Sequence, residues 1–148
     1  MLKIFSSKQI READRLTIQK ESIPSVDLME RAAGKCVDWF TNVYSTDRPV
    51  IVIAGIGNNG GDALVMARKL SERGYSVKSY VVRFSERFSE DLQINLDRLT
   101  DLGHEVTYIL EEKQFPSISS DTILIDGLFG SGLNRKVDGL AELCIRQI

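Results

Sequence analysis

Two short stretches carry the residues of this sequence that can do chemistry. The first, Gly55-Ile56-Gly57-Asn58-Asn59-Gly60-Gly61-Asp62, combines four glycines with two carboxamides and a carboxylate. Glycine removes the Cβ that would hold a ligand off the backbone, so N–H groups and a following helix N-terminus can approach a phosphate or pyrophosphate. Asn58 and Asn59 add carbonyl oxygens and amide donors, and Asp62 adds a carboxylate at a helix start, where the macrodipole favours negative charge. The second stretch, from Gly127 to Gly139, follows Asp126 and contains Gly130-Ser131-Gly132-Leu133-Asn134-Arg135-Lys136. Oxygen-rich turns also hold hard cations, and Asp126 is an oxygen ligand that two such loops can share.

Neither spacing is a familiar phosphate fingerprint. Asp62 stands where GxGxxG needs an uncharged approach, and no Gly-Lys-Ser/Thr follows as in a P-loop. Taken singly, either stretch reads equally as a tight connection with a capping or turn aspartate. Their joint occurrence, each directly after a buried-type strand, is what marks a site.

The elements that position these stretches follow from periodicity. Ser6 or Ser7 caps a helix over Lys8 to Gln19, and Pro24 opens a second over Val26 to about Val43 with a broad apolar face. Val50 to Ala54 is a run of β-branched residues expected to be buried on both faces. A helix over Ala63 to Leu70 closing at Gly74, a strand over Tyr75 to Val82, a helix over Ser89 to Leu102 closing at Gly103 and a strand over Glu105 to Leu110 come next. Asp121 to Asp126 is a fourth buried-type strand, and a helix starts at Leu140. This alternation predicts a mainly parallel sheet, whose ligand crevice lies at the carboxyl ends of the strands. Both chemical stretches leave from that edge.

Composition narrows the functions. The 148 residues fit one domain, and a net charge of -2 supplies no excess of Lys and Arg to neutralise nucleic-acid phosphates. Cys36 and Cys144 have no CxxC or Cys/His spacing, which excludes a zinc motif and a disulfide framework. The N-terminal residues lack the apolar stretch of a secretory signal, and no apolar run approaches the ~20 residues that cross a bilayer. No membrane association and a cytoplasmic location are therefore expected. His104 reads as a solvated turn residue, Trp39 as a core or helix-packing residue, and Ser131 lacks a histidine partner for a hydrolase triad. The Ser85 to Glu90 segment reads as a solvated loop, from which Arg83 and Arg87 can reach a ligand phosphate.

The sequence resembles the YjeF N-terminal domain family of NAD(P)H-hydrate epimerases over essentially its whole length. Leu28-Met29-Glu30-Arg31-Ala32-Ala33, Gly55 to Asp62, and Asp126-Gly127-Leu128-Phe129-Gly130-Ser131-Gly132-Leu133 carry the likeness, in the family's order. The resemblance implies a Rossmann-like α/β/α fold preceded by two helices, and epimerisation of the R and S forms of hydrated NADH and NADPH at C6 of the nicotinamide ring. It implies that Asn58, Asn59, Gly60, Gly61 and Asp62 contact the substrate, and that Gly130, Ser131, Gly132, Leu133, Asn134, Arg135 and Lys136 wrap its phosphate side. It further implies a potassium ion on Asn59 and Asp126, a homodimer, and a fused or separate ADP/ATP-dependent dehydratase.

Ala63 stands where the family usually has Gly, and Gly127 where it often has Ala. Family members continue into an Asp-x-Pro-Ser-Gly-like segment that supplies the expected acid/base aspartate, and nothing between Asp126 and Ile148 matches it. A domain truncated at its C-terminus is expected, with its catalytic acid/base beyond Ile148. A noncatalytic binding scaffold of the same fold is the alternative reading, and an unrelated nucleotide-dependent enzyme a third.

Overall fold

The computed structural model describes residues 4–133 and 136–148. Helix α1 (Ser7–Glu21) begins with a capping box: Ser6 Oγ accepts the Gln9 N–H, and the Gln9 side chain accepts the Ser6 N–H. It buries no residue and rests mainly on α2 (Ser25–Val43). On α2 the buried residues Val26, Met29, Ala33, Val37 and Phe40 recur at three- and four-residue steps, forming one stripe. Trp39 falls about 100° from Phe40 and is 62% exposed, so of its two expected places it is not in the core, and its ring instead meets Tyr44 edge-on.

Strand β1 (Val50–Ala54) is buried throughout, as its composition predicts. The chain continues through α3 (Asn58–Glu72), β2 (Val77–Val82), α4 (Glu90–Asp101), β3 (Val106–Ile109), a single 3-10 turn at Glu112–Gln114, β4 (Ile123–Gly127) and α5 (Gly139–Gln147). All strand pairs are parallel, in the order β3-β2-β1-β4. The chain thus steps outward from β1 twice and then returns to its other side. That reversal places a topological switch point between β1 and β4, where doubly wound sheets open a crevice.

Alternation along β1 builds two apolar layers. Val50, Val52 and Ala54 pack with Leu64, Ala67 and Leu70 of α3, Leu92 and Leu96 of α4, and Val37 and Phe40 of α2. Ile51 and Ile53 face the opposite way, packing with Val82, Ile109, Leu128, Cys144 of α5, and Phe115 and Ile118. The result is the three-layer α/β/α arrangement. Strand β4 departs from its expected full burial: Ile123, Leu124 and Ile125 are half-buried and Asp126 is exposed, because β4 has a paired neighbour on one side only among the described residues. No described helix is long and apolar enough to cross a membrane.

Candidate functional site

The pairing of β1 with β4 places Ala54 opposite Gly127, so both chemical stretches leave the sheet at the same level. The Gly55 N–H donates to Gly127 O at 3.0 Å. A Cβ on Gly55 would sit 2.0 Å from Leu128 O, so the two turns approach at a distance only glycine permits.

The first stretch differs from a loop. Helix α3 starts at Asn58 with Gly57 as N-cap, so Asn58, Asn59, Gly60, Gly61 and Asp62 all lie within its first turns. Sequence reading began this helix at Ala63, because Asn and Gly are poor helix formers. Packing overrides propensity here. A Cβ on Gly60 would lie 2.1 Å from Gly55 O and 2.8 Å from Leu92 Cδ1, and one on Gly61 would lie 2.8 Å from Met29 Sδ. Both glycines are buried, and their small size lets α3 pack against the preceding turn, α4 and α2. The first N–H groups of a helix have no intrahelical acceptor, so an anion can bind where Gly57, Asn58 and Asn59 border the pocket.

The second stretch is pinned on either side. Asn59 Nδ2 donates to Phe129 O at 3.0 Å, and Asp126 Oδ1 accepts the Leu128 N–H at 2.9 Å. Between the two turns lies a pocket of about 550 Å³. Ile56, Gly57, Asn58, Asn59 and Asp62 form one side, and Leu128, Phe129, Gly130, Ser131, Gly132 and Leu133 the other. Phe84 completes the lining together with Arg11 and Asp14 of α1. A smaller depression of about 180 Å³ adjoins it and includes Lys136. Asn134 and Arg135 lie outside the described residues.

Three of these residues, Arg11, Asp14 and Phe84, escaped the sequence reading. Arg11 and Asp14 are spaced to share a face of one helix, but only the tertiary placement of that helix turns the face toward the pocket.

The electrostatics single out Asp62. Burial pushes its carboxyl up to about 6, with the charges of Asp14 and Asp91 acting in the same direction. A carboxyl so placed exchanges its proton near neutrality. Asp126 is placed differently: two residues along β4 from Leu124, it shares the strand face that looks toward the α5-side layer, and it does not line the pocket. Burial, with a smaller contribution from the Asp126 charge, pushes the Cys144 thiol up to about 11.

Oxygen donors of the kind that suit an alkali cation are present. Asn59 Oδ1 and Asp126 Oδ2 take no hydrogen bond among the described residues, and both side chains grip the same loop. No group of three or more His, Cys, Asp or Glu residues that could hold a metal ion occurs among the described residues. Any ion here must therefore draw on carboxamide and backbone oxygens besides the single carboxylate of Asp126.

The family model of the YjeF-related protein N-terminus matches residues 25–148. The chain belongs to that family. Among curated relatives of this YjeF-related domain, the NAD(P)H-hydrate epimerase of Oenococcus oeni is 38% identical over 136 residues, covering 91% of this chain and 62% of that protein. The NAD(P)H-hydrate epimerase of Anaerococcus prevotii is 34% identical over 152 residues, covering 98% and 67%. The bifunctional NAD(P)H-hydrate repair enzyme Nnr of Thermofilum pendens is 29% identical, covering 99% of this chain and 29% of that protein. The chain thus spans at most about two thirds of these relatives. The crystal structure of yeast ynu0, YNL200c, shares the fold with a TM-score of 0.80 at 24% identity, covering 99% of this chain and 64% of the yeast chain.

Ala63 and Gly127, the two positions at which the resemblance led one to expect other small residues, lie against each other. A Cβ on Gly127 would sit 2.5 Å from the Ala63 Cβ. The Ala63 methyl thus occupies the space that a side chain at 127 would need. Glu30, in the first matching motif, anchors three helices: it pairs with Arg68 and with Lys69 at 2.7 Å on α3, and lies 3.8 Å from Arg98 of α4. Burial raises its pKa, but the Lys69 and Arg68 hydrogen bonds outweigh this and hold the carboxyl below its ordinary value.

Proposed function

We propose that this domain epimerises the R and S forms of hydrated NADH and NADPH at C6 of the nicotinamide ring. The observation that carries the reading is the convergence of the Asn58–Asp62 turn and the Leu128–Leu133 loop on one pocket at the switch point. Relatives named as NAD(P)H-hydrate epimerases at 34–38% identity support the same chemistry.

In this reading the α3 N-terminus and Gly130 to Lys136 receive the phosphates, while Asn58 and Asn59 orient the carboxamide-bearing ring. The acid/base role that the resemblance gave to another aspartate falls in this reading to Asp62, the pocket carboxyl raised to about 6: it takes the proton from the C6 hydroxyl and returns it to N1 as the C6–N1 bond opens. Rotation about C5–C6 and the reverse transfer close the ring on its other face. Atoms and protons balance without a co-reactant. A potassium ion held by Asn59 and Asp126 together with loop carbonyls would supply electrostatic stabilisation to the substrate's polar groups. The domain would act in the cytoplasm as a homodimer, feeding a dehydratase of the kind fused in the bifunctional relatives.

Incubating the protein with the R form of hydrated NADPH, and separating the epimers by chromatography, should show S form appearing faster than in buffer. Potassium should raise Tm more than sodium, since a ligand of the native state stabilises it by mass action. Asp126→Asn and Asn59→Ala should abolish that difference. Epimerisation no faster than in buffer, together with identical melting in the two salts, would remove the reading.

A further inference from the structure

The substrate just proposed has two ring systems joined by a pyrophosphate, and the site has two depressions rather than one. They adjoin across Phe84, Phe129 and Leu133, which line both. The larger, beside Asn59 and Asp62, is rich in polar groups suited to a carboxamide and a hydroxyl. The smaller combines, among the described residues, the two phenyl rings with apolar Val137 and Leu140 and with Lys136 and Asp138, which are opposite in charge.

Phe84 stands two residues beyond the end of β2, on the same sheet edge as both turns. In doubly wound folds that position meets the adenosine half of a dinucleotide. Its ring lies 5.4 Å from that of Phe129 with 33° between the planes. Both rings are half-buried and packed on the layer that contains Val82, Ile109 and Leu128. The chain is also held beside each ring, since the N–H of Arg83, the residue before Phe84, donates to Ile109 O at 3.0 Å and Phe129 O accepts from Asn59. Rigid aromatic surface bordering a cleft is a platform for a flat base, at little entropic cost.

Resting on the epimerase reading, we propose that Phe84 and Phe129 form the platform on which the adenine ring of the dinucleotide stacks, leaving the hydrated nicotinamide to the larger pocket. The pyrophosphate then crosses between them, within the span of Lys136 and the α3 N-terminus.

The test compares hydrated NADH with hydrated nicotinamide mononucleotide, which lacks the adenosine half, on wild type, Phe84→Leu and Phe84→Tyr. Leucine keeps apolar bulk and removes the aromatic face, whereas tyrosine keeps the face. Phe84→Leu should raise KM for the dinucleotide about tenfold with kcat little changed, and Phe84→Tyr should restore it. KM for the mononucleotide should change far less than KM for the dinucleotide, since Phe84 only borders the larger pocket. A Phe84→Leu effect equal on both substrates, or absent from both, overturns the platform. Equilibrium dialysis with AMP reads the platform independently of turnover: binding to wild type and Phe84→Tyr that weakens about tenfold in Phe84→Leu supports it. No AMP binding to folded wild type refutes it. Absence of turnover with AMP binding intact would count against the epimerase reading alone.

Discussion

Adding one methyl group at Gly127 tests how tightly the two turns of the site are packed. In Gly127→Ala the new Cβ would lie 2.5 Å from Ala63 Cβ, 3.2 Å from Asn59 O and 3.3 Å from Ile53 O. Carbon atoms in contact prefer about 3.5–4.0 Å, so β4 and α3 must separate by roughly 1 Å. Such overpacking costs about 1–3 kcal/mol. For a chain of this size that lowers Tm by roughly 2–4 °C per kcal/mol. Ala63→Gly alone removes the obstacle but costs about 1 kcal/mol in helix propensity. The double variant, Ala63→Gly with Gly127→Ala, exchanges the two methyl positions. It should be more stable than Gly127→Ala alone, with a coupling energy of about 1 kcal/mol or more between the two changes. Urea unfolding of the wild type and the three variants measures this, provided the m-values agree. Strict additivity, within about 0.5 kcal/mol, would show that residues 63 and 127 do not share one space.

Asp62 should leave a mark on stability as a function of pH. Its carboxyl is raised from 3.8 to about 6 in the folded protein, so the native state holds the proton more firmly than the unfolded chain. The stabilisation this brings is complete below about pH 4 and is lost as pH rises through 6. Asp62→Asn should therefore raise Tm at neutral pH relative to wild type and lose that advantage below pH 4; thermal melts across the range check it. Glu30→Ala should destabilise by about 1–3 kcal/mol, because Arg68, whose side chain is only 12% exposed, is left with Glu72 alone and Lys69 loses its carboxylate. Chemical unfolding measures that loss, and the further change Arg68→Met should recover part of it.

The sheet was legible because its signals are local. Val50 to Ala54 is a continuous β-branched run, and the central strand it forms is buried as expected. Gly74 and Gly103 close α3 and α4 with φ of +85° and +81°, a conformation that glycine adopts without strain. The start of α3 was not legible, since Asn58-Asn59-Gly60-Gly61 has poor propensity and becomes helical only because Gly55 and Leu92 leave no room for larger residues. Of the two readings open for Trp39, core or helix packing, the stripe ending at Phe40 leaves no room for the first, and the ring meets Tyr44 edge-on at the helix end. At the site, the meeting of the two glycine-bearing turns followed from parallel-sheet topology. The contributions of Phe84, Arg11 and Asp14 depend on contacts between elements distant in sequence, which no local pattern records.

Helix α1 buries nothing and leans chiefly on α2, yet Arg11 and Asp14 give it one flank of the pocket. A segment held so lightly comes away at far lower free energy than the sheet, so its amides exchange with solvent well ahead of those in α3. Access to the site is in this way separated from the integrity of the domain: the cleft can widen by peeling back one peripheral helix while the strands and their two apolar layers stay closed. A ligand that spans from Arg11 to the α3 N-terminus would slow that peeling, making the exchange rate of α1 a direct gauge of occupancy.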